Sequence, residues 1–112
     1  MSKAMREPTF WILTALVDQP RHGYGVIQAA ELLSEGQVRL QAGTLYAALD
    51  RLAAQGLVAI DREEIVEGRP RRYYRLTDGG AAALAEETAR LARNASTASR
   101  LLNASRPGPA FA

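Results

Sequence analysis

Apolar side chains recur every three or four positions in three successive segments of the first half of the chain. This spacing lines them up along one side of an α-helix. Pro8 stands at the start of the first segment, where proline is tolerated, and glycines follow the second and third segments, where helices commonly end. The pattern therefore predicts helices over about 8–18, 24–35 and 42–55.

Three segments are candidate strands, one by alternation and two by composition. Polar and apolar residues alternate in QVRL, residues 37–40, which favours one short strand. LVAIDREEIV, residues 57–66, and RRYYRLT, residues 71–77, are typical of the two strands of a hairpin. The intervening EGRP, residues 67–70, has the composition of a turn.

The C-terminal part of the chain predicts one long helix over about 78–104, with Thr77 as its N-cap. Leucines and small residues follow alternating steps of four and three along it, which is a thin heptad seam. Because the domain is too small to bury that seam, we expect the last helix to pack against the same helix of a second copy of the chain. The alternative is that the helix folds back onto the core of its own chain. The seam contains Thr88 and the candidate dimerisation residues Leu84, Leu91, Ala95, Ala98 and Leu102.

The order of these elements is helix, helix, strand, helix, hairpin, helix. This order predicts a mainly α fold with a small β hairpin, a winged helix-turn-helix followed by a C-terminal dimerisation helix. The third helix is then the recognition helix, which contacts the DNA bases, and the hairpin is the wing. We expect the DNA-binding domain to cover 1–77, the dimerisation helix 78–105 and a flexible tail 106–112.

Composition limits the possible functions. The chain has 112 residues and a net charge of +2, so nucleic acid would have to be bound by local patches. Thirteen of its fourteen basic residues are arginine, which suits phosphate contacts, although a genome-wide codon bias explains the excess equally well. There is no cysteine and only one histidine, so we expect no metal site and no cofactor. The longest early apolar run, residues 10–17, is too short for a membrane span, and we expect a soluble cytoplasmic protein.

Three separated motifs, HGYGVIQ, GTLYAALDRLAAQGLV and GRPRRYYRLTDGG, resemble the PadR family of bacterial transcriptional regulators over about residues 8–84. The resemblance implies a dimeric winged-helix repressor that releases DNA when an effector binds. The short last helix is similar to the compact branch of the family. Two features depart from that pattern: Ala48 stands where many relatives have proline, and no aromatic residue lies between Tyr74 and Phe111, which puts a tryptophan-lined drug site in doubt.

The third helix carries the first group of candidate DNA contacts. At 100° per residue, Gly43, Thr44, Ala47 and Arg51 fall opposite the apolar face, where Thr44 and Arg51 offer groups to phosphates or bases. Asp50 lies on the same side, and its charge repels phosphate unless it accepts from cytosine or pairs with an arginine. A plain solvated helix face is the alternative.

Four further residues are candidates, and three of them, Tyr46, His22 and Trp11, have two possible roles each. For Tyr46, on the flank of the third helix, the resemblance implies a contact to the DNA backbone, and a half-buried core tyrosine is the alternative. His22 and Tyr24 precede the second helix, whose N-terminus suits a phosphate, while His22 could equally serve as a cap or in packing. Trp11 favours core or dimer packing, and it is also the best aromatic candidate for an effector wall.

The hairpin carries the other candidate DNA contacts. Alternation turns Tyr74 and Leu76 towards the core, whereas Arg69 and Arg71 are presented at or beside the tip. These two arginines can follow the DNA backbone or enter a minor groove, and Arg72 can assist them. We expect Arg75, farther down the strand, to pair with the preceding acids.

An enzymatic function is disfavoured because the chain lacks a nucleophile with a partner base, a phosphate-binding glycine loop and paired carboxylates. We therefore predict a homodimeric, sequence-specific regulator that binds double-stranded DNA at a pseudo-palindromic operator. A small hydrophobic or aromatic effector is a further possible partner, and no membrane contact is expected. A winged helix used only for protein–protein contacts is the alternative.

Overall fold

The computed structural model describes residues 4–106. Within these residues the chain forms four helices and a three-stranded antiparallel sheet with the strand order β1-β3-β2. The predicted fold class, mainly α with a small β hairpin, is therefore confirmed. The elements are α1 Glu7–Ala15, β1 Arg21–His22, α2 Gly23–Leu33, α3 Ala42–Ala54, β2 Val58–Val66, β3 Arg69–Leu76 and α4 Asp78–Ser105.

The core lies between the first three helices, because each contributes apolar residues at helical spacing. The sheet and the start of α4 close this core through Val58, Tyr74 and Leu84. Burial of Tyr74 confirms the face predicted for the returning hairpin strand. The largest fully buried side chains are Ile12, Leu13, Val26, Leu45, Leu49 and Leu52.

The first helix ends earlier than predicted, at Ala15 instead of residue 18. The side chain of Arg21 donates from Nε to the carbonyl oxygen of Ala15 at 2.7 Å, which satisfies an acceptor at the end of the helix. The amides of Leu16 and Val17 donate three residues back, a tightening typical of a last turn. Val17 is consequently exposed and is not part of the core stripe.

The strand predicted at 37–40 is wrong, because this segment pairs with no strand of the described chain. Its alternation has another cause: Val38 and Leu40 turn into the core while the backbone passes from α2 to α3. The Val38 amide donates to Ser34 Oγ at 2.9 Å instead of to a strand. The strand that joins the hairpin in the sheet is instead β1, which pairs with β3 through Arg21 opposite Tyr74 and His22 opposite Tyr73.

The wing is a tighter hairpin than predicted. Only Glu67 and Gly68 form its turn, with φ of 52° and 76°, and strand pairing resumes at Arg69. Two successive positive φ values match the right-handed twist of the strands and favour glycine at the second position. Lower in the hairpin, a bulge leaves Asp61 without a partner opposite it, between the pairs Ile60–Tyr74 and Arg62–Tyr73.

The last helix begins at a fixed point on the domain. As predicted, Thr77 is its N-cap: the Thr77 hydroxyl accepts from the Gly80 amide at 2.9 Å and donates to the Gly56 carbonyl at 2.6 Å. Gly80 packs so closely against the Leu57 carbonyl that a β-carbon has no room there. These contacts join the start of α4 to the connection between α3 and β2.

The two halves of α4 have different surroundings. Leu84 and Glu87 are buried in the first half, where Glu87 accepts from Arg90 at 2.5 and 2.8 Å. Every residue from Leu91 to Arg106 is exposed. The helix is about 42 Å long, so its second half projects beyond the core. The predicted tail begins at Arg106, and its other residues, 107–112, lie outside the described part.

No helix in the described part of the chain combines the length and the apolar character needed to cross a membrane.

Candidate nucleic-acid interface

The outer surface of α3 divides into a ridge and two flanks. Leu45, Leu49 and Leu52 are buried on one side of the helix. At 100° per residue, the direction opposite them is occupied by a row that we call the ridge. Its members, all exposed, are Gly43, Ala47, Asp50 and Ala54.

One flank of α3 faces the N-terminus of α1. Thr44 and Arg51 line a shallow groove there together with Arg6 and Thr9. Arg51 Nη2 donates to Thr9 Oγ1 at 3.2 Å, which holds the guanidinium at the mouth of this groove. Arg6 and Thr9 were not predicted as site residues. Only the packing of α1 beside α3 brings them there, and no spacing in the sequence signals it.

The other flank of α3 faces the wing across a second, polar groove. Six of the ten predicted contact residues line it, while Gly43, Thr44, Ala47 and Arg51 lie on the ridge or on the flank towards α1. The hairpin therefore approaches α3 closely enough for both to form one surface. The six residues are His22, Tyr24, Tyr46, Arg69, Arg71 and Arg72.

Tyr46 connects α3 with the start of α2. Its side chain is 47% exposed, and its hydroxyl group lies against the backbone of Gly23, leaving no space for a β-carbon there. Tyr24, the next residue, is 64% exposed. Two tyrosine hydroxyl groups are thus available beside the N-terminus of α2, where backbone amides and the helix dipole favour an anion.

His22 is the N-cap of α2. Its Nδ1 accepts from the Gly25 amide at 3.1 Å, so the neutral ring carries its proton on Nε2. Burial lowers the pKa of His22, and the positive charge of Arg71 lowers it further. The capping role that the sequence left open is therefore present, and the imidazole is neutral around pH 7.

The base of the wing is fixed by an aromatic stack. The guanidinium carbon of Arg62 lies 3.9 Å from the centre of the Tyr73 ring, and the His22 ring meets Tyr73 edge to face at 5.3 Å. Arg62 also bridges Asp61 at 3.0 Å and Glu64 at 2.9 Å. The hydrogen bond from Arg62 keeps the pKa of Glu64 below its ordinary value. These contacts join the wing to the start of α2.

The expected pairing of Arg75 with the acids is wrong. The bulge at Asp61 shifts the register, so Glu63 lies opposite Arg72, and Arg75 lies opposite Ala59 below the acids. Arg72 Nε accordingly forms the cross-strand ion pair with Glu63 at 3.1 Å. Within residues 4–106, no salt bridge holds Arg69 or Arg71, which share the tip of the wing with Glu67 in the turn and with Glu64 opposite Arg71.

The remaining predicted site residues lie away from this surface. Leu84 packs into the core of its own chain, so the exposed part of the heptad seam starts at Thr88 and continues through Leu91 to Leu102. Trp11 packs partly against the core, edge to face with Phe10 at 5.0 Å. Its Nε1 is buried and has no hydrogen-bond partner within the described residues.

A helix-turn-helix of α2 and α3, followed by a two-stranded wing, defines the winged helix-turn-helix class. The sequence model of the transcriptional regulator PadR-like family matches residues 12–86. This match covers more than half of the chain, and the chain belongs to that family. The resemblance in the three motifs is thereby confirmed.

Relatives agree with this assignment. The transcriptional regulator Rv3488 of Mycobacterium tuberculosis is 42% identical over 76 residues, which are 68% of this chain and 67% of that protein. A PadR family transcriptional regulator from Eggerthella lenta superposes with a TM-score of 0.69 at 30% identity, over 85% of this chain and 80% of the other.

The fold is also shared with Bacillus subtilis PadR in a crystal structure with operator DNA. The TM-score is 0.66 at 22% identity, over 75% of this chain and 47% of that one. The family and these relatives are transcriptional regulators and not enzymes, as the sequence predicted.

Proposed function

We propose that the chain acts as a homodimeric, sequence-specific DNA-binding repressor, with α3 in the major groove of an operator and the wing along the adjacent backbone. The observation that carries this proposal is that Arg69 and Arg71 at the wing tip form no salt bridge within residues 4–106 and lie across a groove from the exposed ridge of α3. A wing used only for protein contacts has no need of arginines at its tip.

Phosphate contacts would come from both flanks of α3. On one side, Thr44 and Arg51 stand beside Arg6 at the mouth of the α1 groove. On the other, Tyr46 and the start of α2 offer a hydroxyl group and helix-terminal amides. Contacts of this kind set the orientation of a protein on DNA, whereas base edges set its sequence preference. The ridge between the flanks is therefore the base-reading part of the proposal.

The second half of α4 supports the dimer. Leu91 and Leu102 are 40% and 66% exposed, and alanines separate them at heptad spacing. Small residues at such positions permit close approach of two helices, and burial of the leucines would stabilise the pair. A two-fold dimer presents two copies of α3, which matches a pseudo-palindromic operator with half-sites about one helical turn apart or a multiple of it.

We further propose that a small hydrophobic or aromatic effector binds beside Trp11 and releases the operator. The unpartnered indole N–H of Trp11 is a donor that a ligand could satisfy, and its ring provides a surface for a small hydrophobic or aromatic molecule. Titration of the protein with a panel of aromatic compounds, followed by Trp11 fluorescence and operator release, tests this part. Compounds that change neither signal would remove Trp11 from the effector role.

A gel shift with the DNA upstream of the chain's own gene tests the DNA-binding function as a whole. The proposal predicts a discrete complex at moderate salt that survives an excess of unrelated duplex. A protein–protein module would instead show no complex, or one that any competitor DNA removes.

A further inference from the structure

The ridge of α3 contains a single side chain that can form a hydrogen bond. Gly43 has no side chain, Ala47 and Ala54 end in methyl groups, and Asp50 alone carries polar atoms. Thr44 and Arg51 lie towards α1, and Tyr46 lies towards the wing. If the ridge enters the major groove, Asp50, on the side of the ridge that faces the wing, is the ridge residue whose side chain can form a hydrogen bond to a base edge.

Asp50 is not held by an ion pair in the described part of the chain. Other acids around the wing are held: Glu63 by Arg72 at 3.1 Å, and Glu64 by Arg62 at 2.9 Å. The neighbouring Arg51 donates to Thr9 on the other flank. An acid on this face is compatible with DNA binding if it pairs with an arginine or accepts a hydrogen bond from a cytosine. Within the described residues, no arginine of the protein pairs with Asp50.

The wing arginines shape the environment of this carboxylate. Asp50 lines the same groove as Arg69 and Arg71, which form the opposite wall. Phosphates are attracted to the wall that carries the arginines and are repelled from Asp50. An acid at this place does not help general DNA binding. It can contribute only through a specific acceptor contact.

We propose that Asp50 is a specificity-determining residue that accepts a hydrogen bond from the N4 amino group of a cytosine in the operator. This inference rests on the proposed DNA-binding function. An ionised carboxylate can only accept hydrogen bonds. Guanine and thymine present only hydrogen-bond acceptors in the major groove, so they cannot pair with it. Adenine has one donor but places its N7 acceptor next to it, so cytosine is the base that a carboxylate fits best.

The test compares the wild type with Asp50→Asn on operator variants that carry each of the four bases at each position. Anisotropy of labelled duplexes gives the affinities. Wild type should prefer cytosine at one position of each half-site by about 5- to 150-fold. Asp50→Asn should lose this preference and favour adenine there, because an amide pairs with adenine N6 and N7. Preferences at other positions should stay unchanged.

Two controls separate specificity from charge. Glu86→Gln removes one negative charge from an exposed site of α4, and its small effect should be the same for every base. A thermal melt of Asp50→Asn should match the wild type, since the residue is exposed and unpaired within residues 4–106.

The outcomes also separate this inference from the function on which it rests. If Asp50→Asn binds every base variant more tightly by one common factor, Asp50 is only a repulsive charge and the inference fails, while the function stands. If the wild type itself binds no sequence in preference to another, both fail.

Discussion

The hydroxyl group of Tyr46 packs against the backbone of Gly23, so the third helix touches the second at the first residue of that helix. The contact places a half-exposed phenol beside the N-cap His22 and the exposed Tyr24. In the proposed complex, this group of side chains faces one phosphate of the operator. The contact between α2 and α3 at Gly23 and Tyr46 therefore contributes to the proposed DNA-binding surface as well as to the packing of the two helices.

Gly23→Ala should weaken operator binding more than it weakens the fold. The new β-carbon displaces the far end of the Tyr46 side chain, which can rotate away at small cost to the free energy of unfolding. Loss of a hydrogen bond to a charged phosphate is worth about 1.5–3 kcal/mol, so affinity should fall about 10- to 150-fold. Gly25→Ala is the matched control, because its β-carbon meets nothing closer than 3.6 Å. Equal affinities of the two variants would contradict the role of Tyr46.

Gly80→Ala should destabilise the whole domain. Its β-carbon collides with the Leu57 carbonyl, a backbone atom that cannot move without shifting the start of α4. Strain of this kind typically lowers the free energy of unfolding by about 1–3 kcal/mol, which chemical denaturation measures. Gly43→Ala serves as control, since a β-carbon there meets no atom within 4 Å and should leave stability equal or slightly higher. A Gly80→Ala variant as stable as the wild type would disprove the close contact.

Replacing Arg69 and Arg71 together by alanine should weaken binding to all sequences alike. Each lost phosphate contact lowers the slope of log affinity against log salt by about one unit. Arg93→Ala is the matched control, because it removes a positive charge from the exposed side of α4 away from the heptad seam. An unchanged slope in the double variant would exclude the wing tip from the interface.

Leu91→Glu should convert the dimer into a monomer in sedimentation experiments. The substitution puts a charge into the proposed seam, where two copies would meet at close range. Operator affinity should fall with it, since each monomer reaches only one half-site. Arg93→Glu lies on the far side of the same helix and should remain dimeric. A wild-type chain that sediments as a monomer at micromolar concentration would contradict the dimer directly.

Acid should destabilise the N-terminus of α2 through His22. Its pKa is depressed in the folded chain, by burial and by Arg71, whereas the unfolded chain takes up the proton near the ordinary value of 6.5. The unfolded state thus binds more protons below that value, and the free energy of unfolding falls as pH drops through about 6.5. Protonation of Nδ1 removes the acceptor for the Gly25 amide, and this loss is already contained in the pH dependence.

The comparison of His22→Asn with the wild type isolates this effect. Asparagine keeps a cap acceptor without titrating, so the variant should lose less stability between pH 7 and pH 5.5. Parallel pH profiles for the two proteins would rule out a contribution from His22. Arg71→Ala should reduce the effect, because its charge is the second cause of the depressed pKa.

The sequence predicted the elements that are defined by one buried face. Helical spacing located α2 and α3, and the angles around α3 correctly separated buried Leu45 and Leu49 from exposed Gly43 and Ala47. Alternation placed Tyr74 and Leu76 on the core-facing side of the returning strand, where Tyr74 is buried and Leu76 is partly buried.

Features that depend on tertiary partners could not be predicted. The two-residue strand β1 has no pattern of its own and exists because β3 lies beside it. The bulge at Asp61 moved the cross-strand ion pair to Arg72, and nothing in the local sequence specifies that shift. Similarly, Arg6 and Arg51 line the same groove only because the start of α1 lies beside α3.

Footprinting of the purified protein on the DNA upstream of its own gene tests the central claim most directly. We expect two protected half-sites related by approximate two-fold symmetry, about one helical turn apart or a multiple of it. Protection should be lost for the double alanine variant of Arg69 and Arg71 at a salt concentration where the wild type still protects. Uniform protection without discrete sites, or none at all, would contradict a winged helix that reads an operator as a dimer.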